Sequence, residues 1–317
     1  MIDVIFTDTH FGWKNNSMTW LNSQLNFIYK QFIPKLIELS KHDSVRVIHC
    51  GDVFESRSTI STYVATKVVQ AFKDIRKSCD EFIIVCGNHD FYSPNSDMVN
   101  TVKLFISNLD ISIVDQEIMR QGENIYIPWF KWVEKDFDNI TEKYVFTHAD
   151  IVGESIPDCL IGKTIISGHI HTPTNKPGRY NLGSCYSLTF ADSNSKRGFY
   201  IINKGKISFI PNTVSINFYR LYNDEIIKCD YTKFNKEDYI ELYLTEANMS
   251  SEIYINIIKK FTETFTHLWI IPQVVTLSDS INEGFTGYNM ETIMDEIIPE
   301  ELKDFYFKVK TKIKSNQ

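Results

Sequence analysis

The first half of the chain alternates continuous apolar runs with segments whose apolar residues recur at helical spacing. The runs are rich in valine, isoleucine and phenylalanine and lie at 4–6, 45–50 and 82–86. Helical periodicity is present at 18–39, at 62–77 and near 98–109. Continuous apolar strands that alternate with helices are typical of an α/β sheet buried on both faces. An α/β core is therefore predicted for this half.

After residue 110 the pattern becomes rich in strands, with Gly, Pro and Asn between the apolar runs. These runs lie at 111–116, 124–128, 143–148, 163–167, 198–202, 206–211 and 216–222. A second unit is predicted to be a strand, a helix and a strand, at 239–244, 251–266 and 268–277. A polar link then precedes two predicted helices. We therefore predict the α/β (α+β) class, with a large domain at 1–222, a small α/β domain at 223–280, and a linker with C-terminal helices at 281–317.

Composition and charge narrow the class of protein. The chain has no run of roughly 18 or more apolar residues and no basic start of a signal peptide, which predicts a cytoplasmic protein that does not span a membrane. Six cysteines without a CxxC pair favour a reducing compartment. The net charge of −7 argues against DNA binding through bulk positive charge. It does not argue against a nuclease whose own carboxylates hold metal ions.

Five clusters of polar residues directly follow predicted strands. They are Asp8-Thr9-His10, Gly51-Asp52, Gly87-Asn88-His89-Asp90, His148 and Gly168-His169-Ile170-His171. Loops at the carboxyl ends of strands are where α/β proteins build their sites. The mixture of carboxylate, imidazole and one amide oxygen suits manganese, iron or zinc better than calcium or magnesium. Two ions roughly 3.5–4 Å apart need a shared ligand, and the Asp52 carboxylate is the natural candidate.

The order of these clusters resembles the calcineurin-like metallophosphoesterase superfamily. That resemblance implies a β-sandwich flanked by helices, with a small α/β capping domain that binds DNA. It also implies that the protein holds two divalent metal ions, for which we favour Mn²⁺. It implies a first ion held by Asp8, His10, Asp52 and His171, and a second held by Asp52, Asn88, His148 and His169. It leaves His89 free of metal beside the substrate phosphate, as the catalytic residue.

Structural interpretations compete with these roles. Turn residues or buried, satisfied polar groups are the alternative for the aspartates and for the His169/His171 pair, and a core histidine is the alternative for His148. Asp90 is interpreted as a residue that orients its loop. The three histidines outside the motifs are interpreted as structural, namely His42, His49 and His267.

Further segments resemble the SbcD-like branch, the nuclease subunits of DNA double-strand-break processing complexes, and within it phage recombination endonuclease subunits. These segments are Asp8-Thr9-His10-Phe11-Gly12, Gly51-Asp52-Val53-Phe54, Ile127-Pro128-Trp129, Asn181-Leu182-Gly183-Ser184, 187–192, 197–199 and 209–212. Purple acid phosphatases place a tyrosine where Glu55 stands, and protein Ser/Thr phosphatases differ around Asp52 and Asp90. Many cellular relatives have histidine at the position of Glu55, so an exonuclease role tied to that histidine is not carried over.

The branch implies a metal-dependent DNA nuclease, with exonuclease or endonuclease activity, that acts by a two-metal mechanism in recombination and DNA end processing. It also implies a homodimer formed through the helices near 62–77 and 98–109, and an SbcC-like coiled-coil ATPase bound by the C-terminal helices. The last helix carries an apolar stripe at Leu302, Phe305, Val309 and Ile313. Packing of that stripe on its own domain is the alternative.

Arg57 is a candidate contact for a DNA phosphate or a plain surface residue.

Two other functions remain open from the sequence. One is a phosphodiesterase or phosphatase that acts on small nucleotides, which shares the five motifs but needs no terminal helices. The other is a non-catalytic scaffold subunit, which the presence of every expected ligand disfavours. If the chain is phage-encoded, the host cytoplasm is its predicted location.

Overall fold

The fold is built from short strands with helices between them. The computed structural model describes residues 1–93, 96–153 and 155–273. The strands in this part of the chain are β1 (Ile2–Phe6), β2 (Val45–His49), β3 (Glu81–Val85), β4 (Phe91–Ser93), β5 (Ser96–Asn100), β6 (Ser112–Val114), β7 (Met119–Gln121), β8 (Asn124–Ile127), β9 (Tyr144–His148), β10 (Thr164–Gly168), β11 (Thr174–Lys176), β12 (Arg179–Asn181), β13 (Gly198–Asn203), β14 (Lys206–Pro211), β15 (Phe218–Tyr222), β16 (Tyr239–Thr245) and β17 (His267–Gln273). The helices are α1 (Trp13–Asn16), α2 (Met18–Phe27), α3 (Ile33–Ser40), α4 (Thr62–Lys77), α5 (Thr101–Ile106), α6 (Trp129–Glu134), α7 (Asp224–Lys228), α8 (Glu246–Met249) and α9 (Glu252–Thr264).

The first sheet has six strands in the order β14-β13-β1-β2-β3-β6. Strands β1, β2, β3 and β6 are parallel, and β13 and β14 add an antiparallel side. The register sets Phe6 of β1 opposite His49 of β2, and His49 opposite Ile84 of β3. Parallel strands in this register end together, so the loops that follow β1, β2 and β3 leave the sheet at one edge.

The second sheet repeats this plan with six strands in the order β11-β12-β10-β9-β8-β7. Its four central strands are parallel, and β7 and β11 are the antiparallel edges. His148, the last residue of β9, lies opposite Gly168, the last residue of β10. The loops after these two strands therefore also begin side by side.

The inner faces of the two sheets pack against each other as a sandwich. Alternate residues of each strand point into this layer, because successive side chains of a strand face opposite sides of the sheet. The layer is formed by Ile5, Ile48, Ile83 and Val85 from the first sheet and by Tyr126, Phe146, Ile166 and Leu182 from the second. Burial on both faces explains why these strands are continuously apolar in sequence.

Helices cover the outer face of the first sheet. Helix α4 is capped by Ser61, whose hydroxyl accepts the N–H of Val64 at 3.2 Å, and the apolar side of the helix packs on the sheet. The segment predicted as one helix at 18–39 is α2 and α3 joined by a π-helical turn at Ile28–Phe32. The π turn widens the helix while Phe32 stays fully buried in the core.

A third, smaller sheet has the strand order β15-β16-β17, all parallel. Helix α9 packs on one face of it through Tyr254 and Phe261. Trp20 of α2 stacks on Phe218 of β15 with ring centroids 5.7 Å apart. Strands β4 and β5 form a separate two-stranded sheet, and residues Met1–Gln273 form one compact unit that includes all four sheets.

The predicted α/β class and sandwich architecture are confirmed by this topology. The helix predicted near 98–109 is shorter in the structure, at Thr101–Ile106, because β5 extends to Asn100 and Asn100 caps α5 by accepting the N–H of Lys103. Among the described residues no helix is long and apolar enough to cross a membrane. The strand predicted at 268–277 is described as far as Gln273, and the helices predicted at 281–317 lie outside the described residues.

Candidate metal centre

Five loops that follow β1, β2, β3, β9 and β10 meet at one edge of the two sheets. Together they carry the seven side chains predicted as metal ligands and the predicted catalytic residue. In chain order these are Asp8, His10, Asp52, Asn88, His89, His148, His169 and His171. The contacts join residues far apart in the chain, such as His10 and His171, which are 161 positions apart. The structure thus brings all eight predicted residues into one region.

The loops after β1 and β2 continue side by side beyond the sheet. The N–H of Asp8 donates to the carbonyl of Gly51 at 3.0 Å, and the N–H of His10 donates to the carbonyl of Asp52 at 3.1 Å. Asp8, His10 and Asp52 have φ angles of 51°, 41° and 57°, a left-handed region that residues other than glycine rarely adopt. His169 also has a positive φ, of 82°. Strain of this kind clusters at functional sites, where surrounding contacts over-determine the backbone.

Two glycines let these loops approach each other. A Cβ atom at Gly51 would lie 2.4 Å from Nδ1 of His148, and one at Gly87 would lie 2.3 Å from Oδ1 of Asp52. Both distances are far inside van der Waals contact. Glycine is therefore required at both positions, which gives a physical reason for the Gly-Asp and Gly-Asn-His-Asp motifs.

Asp8, His10 and His171 form the first group of donors. The Nε2 atoms of His10 and His171 lie 3.0 Å apart. Oδ1 of Asp8 lies 3.7 Å from Nε2 of His10 and 3.8 Å from Nε2 of His171. One donor atom of each residue thus points into a single small space, as the ligands of one ion do.

Asn88, His148 and His169 form the second group of donors. Oδ1 of Asn88 lies 3.1 Å from Nε2 of His148 and 3.0 Å from Nδ1 of His169. Nδ1 of His148 donates to the carbonyl of Cys50 at 2.7 Å, because a carbonyl can only accept. In its neutral form His148 therefore has the free lone pair on Nε2, the nitrogen that faces Asn88. A backbone partner that sets the tautomer in this way is common for histidines that bind metal.

Asp52 lies between the two groups. Its Oδ2 atom is 3.2 Å from Nε2 of His148 and 3.8 Å from Nε2 of His10. Its other oxygen, Oδ1, accepts the backbone N–H of His89 at 2.9 Å. The carboxylate is thus fixed at one oxygen and presents the other to both donor groups, which is the placement that a bridging ligand needs.

Asp90 holds the loops together from behind. Its carboxylate accepts three backbone N–H groups, those of Gly87 and Asp52 at 2.9 Å and that of Val53 at 2.8 Å. These bonds tie the loop after β3 to the loop after β2. They agree with the interpretation of Asp90 as a residue that orients its loop.

The electrostatics of the region favour bound positive charge. Burial by itself would lower the pKa of His10, but its contacts with Asp8 and Glu55 raise that pKa to about 10. Burial also opposes the charged form of His148, and the neighbouring charge of Asp52 raises the pKa of His148 to about 9. Buried imidazoles would lose their charge in neutral surroundings. The neighbouring carboxylates of Asp8, Asp52 and Glu55 therefore favour positive charge at these two rings.

The donor set as a whole fits two divalent cations. Each group combines imidazole nitrogen with carboxylate or amide oxygen, and none of its members is a thiolate. The Asp52 oxygen between the groups offers the shared ligand that two neighbouring ions require. Imidazole ligands suit borderline metals such as manganese, iron and zinc better than calcium.

His89 belongs to neither of these two donor groups and lies beside the first, where it forms a third set of potential ligands with His10 and Glu55. Its ring centroid is 5.1 Å from that of His10, and its side chain is 34% exposed. Nδ1 of His89 donates to the carbonyl of Glu55 at 2.8 Å. The other ring nitrogen, Nε2, is therefore the one that is left to face a substrate.

Comparison with known proteins identifies the family of the chain. Residues 4–173 match the model of the calcineurin-like phosphoesterase family. The chain belongs to that family. It is 23% identical over 318 residues to exonuclease subunit 1 of Enterobacteria phage T4, with 92% of this chain and 90% of that protein covered. It is also similar to the solved structure of the Pseudomonas putida nuclease MPE, with 17% identity, a TM-score of 0.32, and coverage of 66% of this chain and 87% of that one.

The superfamily predicted from the order of the motifs is thus confirmed. In this calcineurin-like phosphoesterase two further residues touch the centre, and sequence reasoning gave no role to either. Oε2 of Glu55 lies 2.7 Å from Nδ1 of His10. The ring of Trp129 lies 5.0 Å from that of His169 and 6.3 Å from that of His148. Trp129 follows β8 at the same edge of the second sheet, and that position was the signal available in the sequence.

His49 has the structural role that was predicted for histidines outside the motifs, and its partner is Thr9. Nε2 of His49 lies 3.0 Å from the hydroxyl of Thr9, and both residues are fully buried. Burial lowers the pKa of His49 to about 3, so this histidine is neutral in the folded phosphoesterase. Its other nitrogen, Nδ1, accepts the N–H of Gly51 at 3.2 Å and so supports the loop that carries Asp52.

Proposed function

We propose that the chain is a metal-dependent DNA nuclease that hydrolyses phosphodiester bonds with two divalent ions. The observation that carries this proposal is the single oxygen of Asp52 that lies between two groups of buried donors. Membership of a phosphoesterase family supports the bond type. Similarity over most of the chain to a phage exonuclease subunit supports DNA as the substrate.

In this proposal Asp8, His10, Asp52 and His171 hold the first ion. Asp52, Asn88, His148 and His169 hold the second. Divalent cations supply Lewis acidity, which makes water nucleophilic at neutral pH and offsets the charge of a phosphate. We favour Mn²⁺ because imidazoles outnumber carboxylates among the proposed ligands.

His89 moves the proton in the proposed mechanism. Its Nδ1–H is occupied by the carbonyl of Glu55, which fixes the plane of the ring. A protonated His89 therefore offers Nε2–H to the phosphate or to the leaving oxygen, and its position beside His10 puts it next to the proposed first ion. General acid catalysis of this kind contributes about 10²–10⁴-fold to a rate.

The substrate assay separates DNA from small phosphodiesters. The purified chain would be incubated with Mn²⁺ and with labelled linear, nicked and single-stranded DNA, beside bis(p-nitrophenyl) phosphate as a small substrate. Cleavage of DNA supports the nuclease. Cleavage of the small phosphodiester alone would identify a small-nucleotide phosphodiesterase, and no cleavage of either by a chain loaded with two ions would identify a scaffold subunit.

We also propose a homodimer formed near α4 and α5. Large apolar side chains are exposed on and beside these helices, namely Tyr63 (51%), Tyr92 (64%), Val99 (61%) and Leu104 (71%). Exposed apolar groups are typical of protein interfaces where they form one continuous patch. The proposed surface is defined by these four residues.

The ATPase partner and the domain division remain proposals from the sequence. We propose a nuclease domain at 1–222, a DNA-binding capping domain at 223–280, and C-terminal helices at 281–317 that bind an SbcC-like coiled-coil ATPase. Strand β15 ends at Tyr222 and pairs with β16, so it contributes to the small sheet although it precedes the proposed boundary. If the gene is carried by a phage, the complex would act on DNA in the host cytoplasm. A chain truncated before Tyr288 should keep its ions and lose co-purification with the ATPase.

A further inference from the structure

Glu55 makes a contact that neither its motif nor its position in sequence explains. Its Oε2 atom lies 2.7 Å from Nδ1 of His10 and 4.0 Å from Nδ1 of His89. His10 is 1% exposed, so the contact is made inside the protein. Nδ1 of His10 and Oε2 of Glu55 are buried, and neither makes a hydrogen bond of regular geometry with any group among the described residues, so their contact is a close approach of a ring nitrogen and a carboxylate oxygen. The two atoms therefore face each other, and Nδ1 of His89 is also within 4.0 Å of the same oxygen.

The backbone around Glu55 places its carboxylate with little freedom. The N–H of Glu55 donates to the carbonyl of Phe11 at 3.0 Å, and the N–H of Phe11 donates to the carbonyl of Val53 at 2.9 Å. Phe11 and Phe54 form a parallel β-bridge and both are fully buried. The loop that carries Glu55 is thus tied to the loop that carries His10.

The contact favours one tautomer of His10 when the ring is neutral, as it must be for Nε2 to bind an ion. A carboxylate has no proton of its own to donate, so the short contact requires the N–H on Nδ1. The lone pair of the neutral ring is then on Nε2, which lies 3.0 Å from Nε2 of His171 and 3.7 Å from Oδ1 of Asp8. Without a partner at Nδ1, the alternative tautomer would put a hydrogen on Nε2, where the ion is proposed to bind.

We propose that Glu55 is a positioning residue that orients His10 toward the first metal ion and holds it in the binding tautomer. Carboxylates that accept the second N–H of a ligating histidine raise the basicity of the ligand, and their loss costs about 10–100-fold in metal affinity or activity. This role rests on the proposed metal centre. It concerns the first ion only, because the second group of donors is held by other partners, such as the carbonyl of Cys50 at His148.

The carboxylate and the backbone carbonyl of Glu55 act on different histidines. The carbonyl accepts from Nδ1 of His89, and substitution of the side chain leaves that bond in place. A variant at this position therefore weakens the first ion without disturbing the orientation of His89. A purely structural role for Glu55 would affect both donor groups.

The test compares Glu55→Leu, Glu55→Gln and Ser58→Ala with the wild-type chain by calorimetric titration of the metal-free protein with Mn²⁺. Ser58 is exposed on the same loop and serves as the matched control. We expect two ions for the wild type and the control. Glu55→Leu should weaken one ion by about 10–100-fold and leave the other unchanged. Glu55→Gln should restore most of that affinity, because its amide oxygen can accept from Nδ1 of His10.

Three results would overturn the inference. They are wild-type affinity for both ions in Glu55→Leu, equal weakening of both ions, and a glutamine variant as weak as the leucine variant. Folding of each variant is checked by its thermal melt. A wild-type chain that bound no ions would contradict the metal centre itself, so the two failures are distinguishable.

A second readout observes the hydrogen directly. Side-chain ¹⁵N–¹H spectra of the Zn²⁺-loaded protein, labelled at histidine, should show a slowly exchanging Nδ1–H on His10 in the wild type. This signal should be lost in Glu55→Leu and kept in Ser58→Ala. The His89 Nδ1–H signal should be unchanged in all three, because its acceptor is the backbone. An Nδ1–H of His10 that persists in Glu55→Leu would contradict the proposed partner.

Discussion

Oδ2 of Asp52 lies 3.2 Å from Nε2 of His148, a residue of the other sheet. Asp52 follows β2 of the first sheet and His148 ends β9 of the second, and the two residues are brought together by the packing of the sandwich. The same oxygen is 3.8 Å from Nε2 of His10. A single carboxylate oxygen thus faces donors from both halves of the fold.

Asp52→Asn is expected to weaken both ions together. The amide keeps the size of the side chain but removes the negative charge that a bridge between two cations needs. His171→Ala is the matched comparison, since His171 belongs to the first group only. Metal analysis after dialysis should show loss of both ions in Asp52→Asn and of one ion in His171→Ala. Equal stoichiometry in the two variants would rule out the bridging role.

His89→Asn is expected to separate metal binding from turnover. The variant should keep two ions and its affinity for DNA, because the proposal assigns His89 to neither of the two ions. Its turnover should fall by about 10²–10⁴-fold, as for the loss of a general acid. Single-turnover cleavage measures the rate, and metal analysis of the same preparation measures the number of bound ions. Loss of an ion from this variant would show that His89 is a ligand instead.

Removal of metal is expected to abolish activity. After exhaustive chelation Mn²⁺ should restore cleavage better than Mg²⁺, because Mg²⁺ prefers oxygen ligands and most of the proposed donors are imidazoles. The measurement is the initial rate of DNA cleavage over a series of metal concentrations. Full activity in Mg²⁺ alone would contradict the assigned ligands.

Leu104→Asp is expected to shift the chain from dimer to monomer. The side chain is 71% exposed, so the substitution adds a charge to the proposed interface without disturbing the core. Ile161→Asp is a suitable control, since Ile161 is 67% exposed and lies far along the chain from the proposed surface. Sedimentation velocity at several concentrations would measure the oligomeric state of both variants. An unchanged dimer in Leu104→Asp, or a wild-type monomer, would exclude this surface.

Asp238 is expected to make folding stability depend on pH in the acid range. Its carboxylate accepts the N–H groups of Asn217 and Asn235, each at 2.8 Å, yet burial raises its pKa to about 6 from an ordinary value of 3.8. Between these values the folded state holds a proton that the unfolded state has lost. The stability that this group contributes therefore falls as pH rises from about 4 to about 6.

Asp238→Asn lacks this dependence, because an amide is neutral throughout. The difference in melting temperature, wild type minus variant, should decrease over the same pH range and stay constant above it. Asp230→Asn is a control for which the difference in melting temperature should rise with pH, since a hydrogen bond with Thr232 lowers the pKa of Asp230. A difference for Asp238 that rises with pH would show that its pKa is lowered by folding.

The sequence by itself determined the strands and the order of the motifs. Continuous apolar runs such as 45–50 predict buried strands because both faces of a sandwich strand contact other layers. Polar residues directly after such runs predict a site, because parallel strands end at a common edge. The class of fold and the polar clusters at the strand ends therefore followed from local pattern, whereas the family and the assignment of ligands came from the resemblance of the motif order to a known superfamily.

Only the tertiary structure decided how those residues meet. The contact of His10 with His171 spans 161 positions, and no periodicity in the chain encodes it. The role of Glu55 depends on a loop held to its neighbour by backbone hydrogen bonds, which leave no mark in composition. The helix α6 and the short strand β12 were also missed, because segments of six and three residues are too short to show a period. Local pattern specifies the longer strands and the loops that follow them, whereas the packing of two sheets sets the distances between their ends.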